Sequence, residues 1–413
     1  MLDPAPSSVA LRPKVYRPRA LGAVARVLVG LGAFVAALVV FRAVAAPPGG
    51  SVIGGKSEYW RAHASEYDTV FLGSSHVFRA FVPAEFERAA AQFGLEAQAF
   101  NFGVQAVHLL EQRYLLHQIL AARPGLARVF FEYQWLTPQL DPANAFSPRT
   151  VYWHDADTTR LAIARARHWG AALGDELAYV ESPAERHSVF TLVERLFPAD
   201  LRIAQGHLQH HLTELAGIGR GKEVLRGLLG RASGQMARYR TQDGYLSLEE
   251  DERELAARGE TRNSYRARRE RFLAEQDEYH AGVDRLDAEP VVFGDGDWVD
   301  GSLTRVDDLE LLQAIAREVA AAGVEFVLVI LPSQSANRPF EERLMEELGA
   351  LVLRYNLPER YPALYDPELR WDSGHLSAEG ALYFSRLLAR DYCAQRGTAR
   401  DGAPRSEPAE AQQ

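Results

Sequence analysis

The chain has 413 residues, 47% hydrophobic and 24% charged, which suits one large globular domain or two ordinary ones and excludes wholesale disorder. A formal net charge of −9 argues against nucleic acid as a partner. The single cysteine, Cys393, excludes an intrachain disulfide framework and any multi-cysteine zinc site.

Residues 1–20 form a polar tail containing Lys14, Arg17 and Arg19. The run VLVGLGAFVAALVVF at 27–41 is uncharged and lies between Arg26 and Arg42. Extended back to Leu21, with both arginines reaching the interface, it is long enough to span a bilayer. Positive charge precedes it, so the tail is expected in the cytoplasm and the rest of the chain outside. This predicts a single-pass anchor over 21–46 in the inner (cytoplasmic) membrane, followed by a linker at 47–65. The chain beyond it would then be periplasmic or extracellular. A cleaved signal peptide is the competing reading, because Ala43-Val44-Ala45 resembles a cleavage site. Arg42 and the long preceding segment count against it, as the Pro47–Gly50 tether counts against a buried core helix.

From residue 66 strands and helices alternate. Asp68–Ser75 (DTVFLGSS) and Glu96–Gly103 read as strands, and Leu109, Leu116 and Leu120 mark a helix. LARVFFEYQWL at 126–136 is a nearly continuous apolar strand of the kind found in a sheet covered on both faces. The interval 141–300 breaks the rhythm and reads as a helical insertion or cap. The alternation resumes over 301–396, with a helix capped by Asp308 and ended by Gly323, and a strand at Glu325–Pro332. A helix from about Pro339 to Val352 and a last helix from near Ser377 follow. The tail at 397–413 is polar and expected to be disordered. The fold class is therefore α/β, with 66–140 and 301–396 as two halves of one three-layer domain.

Three short motifs carry candidate chemistry. The first strand runs into Gly73-Ser74-Ser75-His76, and ligands in parallel α/β sheets bind beyond the carboxyl ends of strands. Asn101-Phe102-Gly103 ends the second strand, where glycine lets backbone approach a reacting carbonyl. Near the C-terminus, Asp372-Ser373-Gly374-His375 spaces a carboxylate and an imidazole so that one can orient the other as a general base. Taken singly, each is equally well a turn, a strand end or a capped loop.

Together and in this order, they resemble the SGNH (GDSL-like) hydrolase superfamily. The resemblance covers roughly 66–140 and 305–395. It implies a flavodoxin-like parallel sheet, Ser75 as nucleophile, Asp372 and His375 completing a triad, and Gly103 as an oxyanion donor. Ser74 stands where the family has aspartate, and the G-S-S turn is similar to membrane-anchored relatives in envelope polymer modification. The third block of the family is not recognisable; Glu132-Tyr133-Gln134-Trp135 occupies its place, with Gln134 as a candidate amide donor. Asp372 is expected to raise the pKa of His375 above its reference of about 6.5.

The implied function is a membrane-tethered serine acyl-esterase or O-acyltransferase acting on an envelope polysaccharide. A membrane acyl-donor protein is a candidate partner, and no cofactor or metal is expected. The alternative is a non-catalytic SGNH-like scaffold binding glycan or a membrane partner. Other features weigh less. His207, His210 and His211 share a helix face without an identifiable further ligand. Gly217–Lys222 lacks the phosphate-loop spacing, and Asp295, Asp297 and Asp300 miss a calcium-loop register. The segment Arg149–Asp155 could border a glycan pocket or simply pack as a loop.

Overall fold

The computed structural model describes residues 19–44, 52–133, 155–161, 243–257, 259, 263–288, 302–334, 336 and 338–400. In chain order it has α1 (Arg19–Val44), α2 (Val52–His63), β1 (Thr69–Gly73), α3 (Ser75–Ala80) and α4 (Pro83–Ala91). Then come β2 (Ala99–Gly103), α5 (Leu109–Ala122) and β3 (Arg128–Glu132). Three helices, α6 (Leu248–Ala257), α7 (Asn263–Ala274) and α8 (Gln276–Ala288), lie in the interval read as an insertion. The chain closes with α9 (Ser302–Ala321), β4 (Glu325–Ile330), α10 (Arg338–Glu347), β5 (Leu351–Arg354) and α11 (Ala378–Arg400).

All five strands are parallel and ordered β2-β1-β3-β4-β5, a flavodoxin-like arrangement. Its physical basis is visible in β1, β2 and β3 (TVFLG, AFNFG, RVFFE), where every residue is buried. Such strands bury both faces only between two helical layers. Val70 and Leu72 pack with Trp60 of α2, Leu116 of α5, Leu312 of α9 and Phe340 of α10. Phe71 faces the other way, against Phe81, Phe86 of α4 and the α11 layer of Phe384, Leu388 and Tyr392. Period-two alternation thus builds two cores, one on each side of the sheet.

Several boundaries differ from the sequence reading. The first strand ends at Gly73, and Ser75 already belongs to a helix. Asp308 lies inside α9, which starts at Ser302. The helix expected to reach Val352 stops at Glu347, and Leu351–Arg354 forms the edge strand β5 instead. Gly349 makes this possible by taking a left-handed φ of 71°, a cheap conformation only for glycine. The last helix continues to Arg400, into the segment expected to be a tail.

Among the described residues, no helix is long and apolar enough to cross a membrane. Side chains of α1 are described over 25–37, where Val27, Leu28, Val29, Leu31, Phe34 and Val35 are exposed.

The described part of the insertion is helical and packs directly on the domain. Asp243 backbone oxygen accepts from Asn101 N–H at 2.7 Å, so this segment lies along β2. Arg79 of α3 and Asp251 of α6 form a buried ion pair at 2.6 Å, and Arg79 also donates to Leu246 O at 2.8 Å. Asp251→Ala would leave that guanidinium buried without its counter-charge and is expected to cost about 3–5 kcal/mol. Chemical denaturation checks this; an unchanged unfolding midpoint would show that the pair does not hold α6 to α3.

Candidate active site

In this strand order the chain leaves β1 toward β2 on one side and leaves β3 toward β4 on the other, so a crevice opens beyond the carboxyl ends of β1 and β3. Ser75 follows β1 at that point and Glu132 ends β3. Ser74 caps α3, its Oγ accepting the His76 N–H at 3.1 Å. Its own N–H and Oγ–H both donate to the buried carboxylate of Glu132, the latter at 3.1 Å. A Cβ on Gly73 would strike the Val77 and Glu132 side chains, so only glycine allows this turn to seat on β3. Ser75 is thereby placed at the first position of α3. Among the described residues its N–H has no hydrogen-bond acceptor, as helix geometry dictates for an initial amide.

The Asp372–His375 loop is held from two sides. Arg370, nearly fully buried, donates to Leu364 O (2.9 Å), Asp372 O (3.3 Å) and Ser373 O (2.6 Å). Arg269 of α7 donates to Arg370 O (2.5 Å) and Trp371 O (3.0 Å) and stands over the Trp371 ring. Within the loop, Asp372 Oδ1 accepts from Gly374 N–H (2.9 Å), His375 N–H (2.8 Å) and His375 Nδ1–H (2.8 Å). The other ring nitrogen, Nε2, accepts from Ser75 Oγ–H at 3.0 Å. Residues 300 positions apart in sequence thus form one hydrogen-bonded line, Asp372–His375–Ser75. Arg268 of α7 lies 3.6 Å from the second oxygen, Asp372 Oδ2.

Burial alone would raise the Asp372 carboxyl. The His375 hydrogen bond and charge, Arg268 and the Gly374 N–H outweigh it and hold the group well below the usual carboxylate range. His375 goes the opposite way to the sequence expectation. Burial lowers its pKa, helped by the neighbouring charges of His76 and Arg268, and this exceeds the upward pull of Asp372. The physical reason is that desolvation penalises the imidazolium more than one carboxylate rewards it. A base must be neutral to act, so a lowered pKa makes it available at lower pH. The acid limb of kcat/KM is expected to have its midpoint below about 6.5. A pH–rate profile checks this; a midpoint above that value would contradict the burial argument.

Gly103 has a different part from the one expected. Its N–H donates to Asn101 Oδ1 at 2.8 Å and is committed within its own strand rather than offered to a reacting carbonyl. A Cβ there would collide with the Phe78 backbone, so Gly103 permits close approach of α3 to β2. Asn101, fully buried, donates from Nδ2 to Val77 O (2.8 Å) and Phe81 O (2.7 Å), tying α3 to the strand. Beneath it the buried Lys56 Nζ donates to Asn101 O (2.8 Å) and Gly103 O (2.7 Å) and lies 4.0 Å from the Phe78 ring centroid. Burial pushes the Lys56 ammonium well below its ordinary pKa, with Arg79 adding to the shift and Asp243 opposing it. Gln134 lies outside the described residues, as do His207, His210, His211, Gly217–Lys222, Asp295, Asp297, Asp300 and most of Arg149–Asp155. Among the described residues no group of three histidine, cysteine or acidic side chains could hold a metal.

Sequence reasoning singled out neither His76, Glu132, Arg268 nor Arg370. Glu132 had a signal, a carboxylate ending an apolar strand, which demands a partner when buried. Compared with family models and with curated proteins, the chain matches none of them.

Proposed function

We propose that this chain is a serine acyl-esterase or O-acyltransferase of SGNH type, working through an acyl-serine on Ser75. The observation that carries the reading is the continuous Asp372–His375–Ser75 hydrogen-bonded line. Ser75 Oγ attacks an acyl carbonyl while its proton passes to His375 Nε2, and Asp372 keeps the tautomer that makes this possible. The Ser75 N–H is a donor for the developing oxyanion. The C–O bond to the leaving group then breaks as His375 returns the proton to it. In the second half, water or a sugar hydroxyl gives its proton to His375 and bonds to the acyl carbon, the bond from that carbon to Ser75 Oγ breaks, and His375 returns the proton to Oγ.

The placement we propose is a membrane anchor over 21–46, with the domain on the periplasmic or outer side. Support comes from the exposed apolar side chains of 25–37 and the basic residues before them. Such a tether favours an envelope polysaccharide as the acylated or acyl-accepting substrate, with a membrane protein as acyl donor. The scaffold reading draws on Glu132 standing where the family's third block would be; the preformed triad argues for chemistry instead. A fluorophosphonate probe on the full chain in membranes tests both parts. Labelling that stays in the membrane pellet after carbonate extraction is expected. An unlabelled, folded chain would favour the scaffold, and a labelled but extractable one would remove the anchor.

A further inference from the structure

Beside the triad stands a second imidazole that the reaction above does not use. His76 Nδ1–H donates to Glu132 Oε1 at 3.3 Å, and the Glu132 side chain is completely buried. That carboxylate is itself fixed by Ser74, so the His76 ring has a rigid support on β3. The ring is turned with Nε2 toward the loop carrying the base: a Cβ on Gly374 would sit 3.5 Å from it. Its centroid is 5.0 Å from that of His375, the planes tilted by 51°. His375 is nearly buried whereas a quarter of the His76 side chain is open to solvent.

The reacting hydroxyl must approach His375 Nε2, because that nitrogen takes its proton. An oxygen on the adjacent carbon of the same molecule then comes beside the neighbouring imidazole. A hydroxyl is both donor and acceptor, so it can pair with His76 Nε2 whether that nitrogen carries a proton or a lone pair. We infer that His76, oriented by Glu132, is a specificity-determining residue that holds the second hydroxyl of a vicinal diol while His375 activates the first. This rests on the acyl-serine reading and deepens it: the acceptor is a polyol or sugar with neighbouring hydroxyls, not a lone alcohol.

The test uses the full chain in detergent, acylated from p-nitrophenyl acetate, with ethane-1,2-diol and ethanol as competing acceptors at equal concentration. The wild type is expected to transfer acyl to the diol in excess of the twofold statistical advantage of its two hydroxyls. His76→Phe keeps a ring of similar size but no nitrogen, and should cut the diol-to-ethanol product ratio about five- to tenfold, the effect of one lost hydrogen bond. His76→Asn, which can still pair with a hydroxyl, should restore part of that ratio. If His76→Phe slows both acceptors alike and leaves the ratio as it was, the residue is structural and the inference is overturned. A wild type with no preference for the diol overturns it as well, while a Ser75-dependent p-nitrophenolate burst would still uphold the parent reading. Absence of any such burst in the wild type would remove both.

Discussion

Ser75→Ala is expected to abolish fluorophosphonate labelling and to lower acyl release by about 10⁴- to 10⁶-fold. The magnitude follows from the geometry: Ser75 Oγ is the atom hydrogen-bonded to His375 Nε2, and methyl replaces the nucleophile without disturbing a packed neighbour. Ser74→Ala provides the contrast. Ser74 Oγ caps α3 and bonds Glu132, so its loss costs about 1 kcal/mol of stability while the nucleophile stays in place. A substantial part of the labelling should therefore survive in Ser74→Ala. Labelling retained by Ser75→Ala and lost in Ser74→Ala would show that the wrong serine has been assigned. The comparison is read by gel fluorescence and by initial rates on a chromogenic ester.

The second large effect concerns Asp372. Its Oδ1 takes three hydrogen bonds, two from backbone and one from His375 Nδ1–H. In Asp372→Asn the amide oxygen can still accept from Gly374 and His375 N–H, so the loop should keep its shape. The same neutral oxygen then faces Nδ1–H, so the variant loses the negative charge that stabilises the imidazolium formed as Ser75 gives up its proton. Turnover is expected to fall by up to about 10⁴-fold. His375→Gln should be at least as damaging, and the double variant little worse than either, because groups acting as one unit are not additive. Were Asp372 merely a turn-forming residue, asparagine would serve nearly as well. A folded Asp372→Asn protein with wild-type turnover would sink the triad. Folding of each variant is checked by circular dichroism, so that loss of activity is not confused with loss of structure.

What could be read from the sequence was local and periodic. The strands TVFLG, AFNFG and RVFFE are legible because residues buried on both faces leave an uninterrupted apolar run. The residues of the Asp372–His375–Ser75 hydrogen-bonded line were legible because each sits in a short motif at a strand or helix end. Edge strand β5 was not: LVLR follows a helix without a proline, and its outer residues are only partly buried, so nothing but Gly349 marks the break. The support of the site was hidden for another reason. Arg268, Lys56 and Glu132 act through partners far away in sequence, and only the fold shows which group meets which. The wrong sign for His375 has the same origin, since burial is a tertiary property while the adjacent aspartate is visible in the motif. Gly103 misled by its position: the expected glycine was present, but its amide is spent on Asn101.

The most direct test of the central claim is to trap the intermediate. The full chain would be mixed with p-nitrophenyl acetate, quenched in acid within the burst, digested and examined by tandem mass spectrometry. One acetylated peptide is expected, spanning the turn after β1, with the acetyl group on Ser75 and none in His375→Gln. Acetyl found only on other residues, or equally on Ser75 in wild type and His375→Gln, would contradict it.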